Sequence, residues 1–166
     1  MAVEGTPTRV KLDAGLSGVA GEYFVAAELS RRGYIATLTL KNTRGVDILC
    51  ANRTGTAVKI QVKTNQGGGK EWILTKSSEG VSDPHFFYVF VNLHGHKAPE
   101  YHIVPSAVVA HQIASFHVAW LSGTKKDGSA RKDTEMRAFR DKDNQYLSRW
   151  DILGLDSEVI TSALPE

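Results

Sequence analysis

Within residues 45–64, GVDILCANRTGTAVKIQVKT, an aspartate (Asp47), a glutamine (Gln61) and a lysine (Lys63) interrupt two otherwise apolar strand-like runs. A half-buried strand gains nothing by carrying an acid and a base into one small volume unless they pair or form a site. Between the runs lie Asn52, Arg53, Thr54, Gly55 and Thr56. A three-residue loop of Arg53, Thr54 and Gly55 puts glycine where such hairpins need a left-handed residue. With Asn52 opposite Thr56, that loop sets Asp47 across from Gln61, roughly 5 Å apart between β-carbons. A two-residue loop would instead set Asp47 against Ile60. Lys59, Gln61 and Lys63 alternate with Val58, Ile60 and Val62, so the polar trio shares one face and the aliphatic trio the other. The expected product is an oxygen-rich corner with an ammonium at its edge.

A helix must deliver anything further. The proline-free segment from about Leu16 to Arg32 reads as one, with Gly33 at its end. At helical spacing Glu22 falls among Gly18, Val19, Val25, Ala26 and Leu29, which directs it toward the protein. Glu28 falls near Ser17, Gly21 and Arg32, which reads as a solvated side. An inward carboxylate requires a cation or a donor. The same residues also admit plainer readings: an ion pair between Asp47 and Lys63, a hydrogen-bonded core amide at Gln61, and Arg44 as the partner of Glu22.

Around these residues the strand signals are YIATLTL (34–40), VDILCA (46–51), AVKIQVKT (57–64), WILT (72–75), FFYVFVNL (86–93) and YHIV (101–104). Pro105 suits the first turn of a second helix through about Ala114. Residues 65–85 carry turn signals without periodicity. Residues 122–145 are mostly polar and read as a loop that returns to the core through a last helical turn.

GEYFVAAELSRRGY, GVDIL and IQVKT, taken in that order, resemble the PD-(D/E)XK nuclease superfamily over roughly residues 17–64, and more loosely to the strand at 86–93. The resemblance implies an α/β, restriction endonuclease-like fold: a mixed β-sheet flanked by helices. It also implies Mg²⁺-dependent hydrolysis of DNA phosphodiesters, with Mn²⁺ as a substitute. On this chain Asp47 would be the metal-binding aspartate, Gln61 would occupy the usual acidic position, Lys63 would be the catalytic lysine and Glu22 the helical acid. A backbone carbonyl near Val62 would complete the ligands. Two departures stand out: Val46 replaces the motif's proline, and Gln61 offers an amide oxygen without a negative charge. The second motivates the alternative of a nucleic-acid-binding or regulatory module that keeps the fold without cleaving.

Other motifs are weaker. QGGGKEW lacks phosphate-loop spacing, although Lys70 could meet a phosphate from a loop beside the site. His94 and His96 have no evident third ligand. Lys125 and Lys126 open a basic cluster that could track DNA, while its interleaved acids fit a solvated loop equally well. Trp72, Trp120 and Trp150 read as core residues.

At 166 residues, 42% hydrophobic and 23% charged, the chain suits one folded domain spanning 1–166, with a core of about 16–121 and a C-terminal extension of 122–166. A net charge of +2 permits a polyanionic partner without demanding one. The single cysteine, Cys50, reads as an inert apolar group and excludes an internal disulfide. With no secretion-like start and no apolar run of membrane-spanning length, the expectation is a cytoplasmic protein without a membrane partner. The apolar girdle of the first helix, including Leu16, Ala20, Tyr23, Phe24 and Ala27, suggests a homodimer.

Overall fold

The computed structural model describes residues 11–40 and 45–156. The chain starts with helix α1 (Ala14–Arg31), whose first turn is capped by the Asp13 carboxylate accepting from the Leu16 N–H at 2.8 Å. It ends at Arg32, with Gly33 following at φ 88°. Strands β1 (Ile35–Leu38), β2 (Ile48–Ala51) and β3 (Ala57–Asn65) follow, then β4 (Glu71–Thr75), a 3-10 turn (Lys76–Gly80), β5 (Phe86–Asn92) and β6 (Glu100–Pro105). Helix α2 (Ser106–Leu121), β7 (Met136–Arg140) and a 3-10 turn (Trp150–Leu153) complete the described chain.

The main sheet has the order β1-β2-β3-β5-β6; β3 and β5 run parallel and the other neighbours antiparallel. Strands β4 and β7 form a second, antiparallel ribbon. This is the mixed α/β architecture expected from the sequence. Its two faces bury different cores. Val58, Ile60 and Val62 join Val89, Val91 and Ile103 beneath Val25 and Leu29 of α1. Phe86, Tyr88 and Phe90 turn the other way, toward Trp72, Phe139, Val109 and Ile113 of the ribbon and α2. The rings of Phe90 and Phe139 stack there at 4.5 Å.

The hairpin adopts the expected register: Ile48 pairs with Ile60 and Ala51 with Ala57, the Asn52 N–H donates to the Thr56 carbonyl at 2.9 Å, and Gly55 sits at φ 97°. The Asn52 side-chain oxygen accepts from the Thr54 and Thr56 N–H groups, which fixes the loop from within.

Four expectations change. Helix α2 runs to Leu121 rather than Ala114. The supposed loop 122–145 contains β7, where Phe139 is buried, and Trp150, Leu153 and Leu155 lie in the α1-side core, so this extension is integral to the fold. On α1 the buried stripe is Ser17, Gly21, Val25 and Leu29. Small residues rather than large apolar ones let the helix settle onto β3, and a β-carbon on Gly21 would lie 2.0 Å from Thr64 Oγ1. Glu28 accordingly is not solvated: its side chain is 13% exposed and pairs with Arg31 and Arg32, each at 2.9 Å. Trp72 and Trp150 are core residues as expected, but Trp120 is 41% exposed. Arg44 lies outside the described residues.

Candidate functional site

Asp47 stands one residue before β2, where the β2–β3 ladder stops being regular. Its N–H donates to the Ile60 carbonyl at 2.9 Å, and its Oδ2 accepts from the Val62 N–H at 2.7 Å. The side chain thus takes a bond that a backbone carbonyl would hold in an unbroken ladder. Thr39 supports it from β1's end: the Thr39 N–H donates to the Asp47 carbonyl at 2.9 Å, and Thr39 Oγ1 donates to the Val46 carbonyl at 2.5 Å. The sequence reading missed Thr39; its only signal was a hydroxyl closing the alternating run YIATLTL.

Glu22 and Asp47 line one cleft of about 380 Å³, together with Ala14, Gly18, Val19 and Thr39. The helical and strand-end carboxylates therefore share a cavity. Gln61 and Lys63 are half-buried and do not line that cleft. Strand alternation carries them to the face away from α1, beside Tyr88 and Phe90. Among the described residues neither side chain makes a hydrogen bond or ion pair, so the Asp47–Lys63 ion pair is not formed. The Gln61 amide still reaches the segment before Asp47: a β-carbon on Gly45 would lie 3.9 Å from Gln61 Nε2.

Val62 links the two faces. Its N–H already meets Asp47. The N–H and C=O of one strand residue leave on the same side, so its carbonyl also faces the Asp47 end of β2. Two carboxylates line this corner and the Val62 carbonyl faces it, while the Gln61 amide stays on the other face of β3. Such hard oxygen donors suit Mg²⁺ or Mn²⁺, with water filling the remaining positions. Among the described residues no three His, Cys, Asp or Glu side chains gather into a metal-holding group. The donor set therefore fits a divalent ion with two anionic ligands rather than three.

Lys59, the third member of the polar trio, forms an ion pair with Asp83 at 2.5 Å. That bond and the His85 N–H hold the Asp83 carboxyl below its usual range. Lys70 is engaged inside the chain, by Asn144 at 2.6 Å and Glu100 at 3.6 Å. Lys125 and Lys126 are exposed. His94 lies 3.0 Å from Glu100, and His96 is exposed. Burial pushes the Cys50 thiol up to about 11, which keeps it protonated and unreactive. A buried pair the sequence did not reveal joins His102 Nδ1 to Asp141 Oδ2 at 2.6 Å; 39 residues separate the two, and no local motif connects them.

No protein-family model matches the chain, and no curated protein matches it. Among solved structures it is similar to the Holliday junction resolvase of the archaeal hyperthermophile Archaeoglobus fulgidus, at 13% identity and a TM-score of 0.49, over 85% of this chain and 98% of that one. It is also similar to a bacterial homing endonuclease, at 13% identity and a TM-score of 0.48, over 85% of this chain and 92% of that one.

Proposed function

We propose that the protein is a metal-dependent endonuclease that hydrolyses DNA phosphodiester bonds. The observation that carries this reading is the shared cleft of Glu22 and Asp47, with Asp47 tied by hydrogen bond to the strand that bears Gln61 and Lys63. Two carboxylates lining one cavity repel each other unless a cation or donors offset their charge, and a divalent ion would do so.

Glu22, Asp47 and the Val62 carbonyl would hold the ion. When bound, it supplies Lewis-acid polarisation of the phosphate and a lowered pKa for an attacking water. The rest is the work of the chain. The Val62 N–H fixes one oxygen of Asp47 and leaves the other for coordination. Thr39 fixes the backbone on which that carboxylate stands. Lys63, with no internal partner among the described residues, offsets negative charge as water adds to phosphorus and the P–O ester bond breaks. No covalent intermediate is required, and the buried Cys50 takes no part.

Supercoiled and linear DNA incubated with Mg²⁺ or Mn²⁺ tests the proposal, with Asp47→Ala and Lys63→Ala as controls. Cleavage that needs the ion and disappears in both variants is the expected outcome; ion-independent cleavage, or cleavage that survives both substitutions, refutes it. The neutral Gln61 and the two-carboxylate set favour one second reading, a DNA-binding module that does not cut. Gln61→Glu tests position 61 itself: a third anion should tighten Mn²⁺ binding at least about tenfold if that residue is a ligand.

A further inference from the structure

The groove between α2 and the β4–β7 ribbon is built from elements that take no part in the carboxylate cleft. It has a volume of about 220 Å³ and is lined by Ile73, Phe116, Trp120, Met136 and Ala138, with His117 below. Four of its apolar side chains are substantially exposed: Ile73 55%, Phe116 43%, Trp120 41% and Met136 61%. Each exposed ring carries a guanidinium, Arg131 over Trp120 at 5.0 Å and Arg140 over Phe116 at 5.5 Å; His117 stacks on Trp120 at 5.5 Å, and Arg140 is also paired with Glu71. A guanidinium stacked on a ring extends its flat surface and keeps N–H donors pointing outward in its own plane.

Beside the groove, residues 124–130 fold into a small hairpin. Thr124 bridges Ala130, the Lys125 N–H donates to the Ser129 carbonyl at 2.9 Å, and Gly128 turns the chain at φ 81°. This hairpin displays Lys125 and Lys126, with Arg131 and Lys132 following. Of the acids that interleave these cations in the sequence, Asp133 and Asp141 are engaged elsewhere, while Asp127 and Glu135 stay exposed without an ion-pair partner among the described residues. Asp127 accepts from the Ser129 N–H and hydroxyl, Asp133 is taken by Lys76 and His117, and Asp141 is buried against His102. Among the described residues Lys125, Lys126, Arg131 and Lys132 have no carboxylate partner; Arg131 instead donates to the Trp120 carbonyl at 2.7 Å. Lys125, Lys126, Arg131 and Lys132 outnumber Asp127 and Glu135, so the rim of the aromatic groove carries a net positive charge, while Glu71 in its lining is neutralised by Arg140.

We infer that this groove binds an unpaired segment of DNA, with bases stacked on the Trp120 and Phe116 platforms and phosphates held by the Lys125–Lys132 hairpin. The charge selects a polyanion, and the exposed rings select one whose base faces are free, because a paired base shows only its edges. The inference rests on the nuclease reading for its choice of DNA and gives that reading a substrate class: DNA containing a single-stranded stretch.

The test is fluorescence anisotropy in EDTA with a labelled single-stranded oligothymidine, against a blunt duplex of equal length. Tryptophan emission is followed in parallel. The single strand should bind at least about tenfold more tightly than the duplex and quench the exposed tryptophan. Trp120→Ala should weaken binding roughly tenfold, within the range for one stacked base. Lys125→Gln/Lys126→Gln, a surface change that leaves the core intact, should lower the salt slope by roughly 1.4, at about 0.7 per phosphate contact on a single strand. Equal affinity in wild type and Trp120→Ala, a duplex that binds as well as the single strand, or a Trp120-dependent dimer that ignores the oligonucleotide would each overturn the inference. Because no divalent ion is present, its failure leaves the cleavage assay standing, and loss of cleavage with binding retained retires only the nuclease.

Discussion

Replacing Gly21 with alanine would set two effects of opposite sign against each other. Alanine in a helix interior is favoured over glycine by roughly 0.5–1 kcal/mol. The new β-carbon, however, would stand 2.0 Å from Thr64 Oγ1 and 3.1 Å from both Thr64 Cβ and Cγ2. Rotating the stiff, branched threonine relieves this only in part, because Thr64 Cβ itself stays 3.1 Å away whichever substituent faces the helix. Overpacking of this kind costs roughly 1–3 kcal/mol, and a 2.0 Å approach belongs at the upper end. The expected net loss is about 1–2 kcal/mol, or roughly 2–8 °C in Tm for a chain of this size. Thr64→Ala removes both the collision and a buried hydroxyl that has no hydrogen-bond partner, so alone it should be close to neutral. In that background Gly21→Ala should become stabilising, which gives a coupling energy near 2–3 kcal/mol in a double-mutant cycle. Thermal and urea unfolding of the four proteins provide the measurement. A stabilised Gly21→Ala single variant, or a coupling below about 0.5 kcal/mol, would show that α1 does not rest on β3 in this way.

Asp47→Asn keeps an acceptor for the Val62 N–H, whereas Asp47→Ala leaves that N–H unpaired at a residue 7% exposed. Titration and melting should show both variants losing Mn²⁺ affinity, but only the alanine variant losing about 1–3 kcal/mol of stability; equal melting temperatures would deny the hydrogen bond its structural role. His102 has its pKa lowered by burial, an effect that the hydrogen bond to Asp141 only partly offsets. A folded-state value below the unfolded one means that the contribution is complete above roughly pH 6.5 and is lost as pH falls through the folded value. Tm should therefore fall as pH drops below about 6.5, and His102→Gln should flatten that slope; an unchanged slope in the variant would remove His102 from the account.

Much of the site's framework was legible because glycine chemistry specifies registers. Gly55 dictated a three-residue loop and the loop dictated the pairing as far as Ile48 and Ile60, one residue short of Asp47, whose side chain lines the cleft with Glu22 instead of β3's polar face. The orientation of α1 was harder to read. Its contact side is marked by Ser17 and Gly21, which an apolar-face count scores as solvent, and shape rather than hydrophobicity decides their burial. Strand β7 escaped for a related reason. Arg137 is 3% exposed, yet in sequence it reads as one more surface cation; it is buried because Glu79 and the Thr134 and Met136 carbonyls meet it there, and no local pattern announces Glu79, 58 residues away. The relation of Gln61 and Lys63 to Glu22 was half visible: alternation showed that the strand pair faces together, but not that the helix covers the opposite side.

A carboxylate that closes the gap between two strands has a duty apart from any reaction. Natural selection for a folded hairpin alone would preserve Asp47, so its retention among descendants of this chain would say little about whether they still cut. Lys63 carries no such obligation among the described residues. Drift at that position, with the aspartate unchanged, would be the mark of a lineage that has given up hydrolysis and kept the architecture.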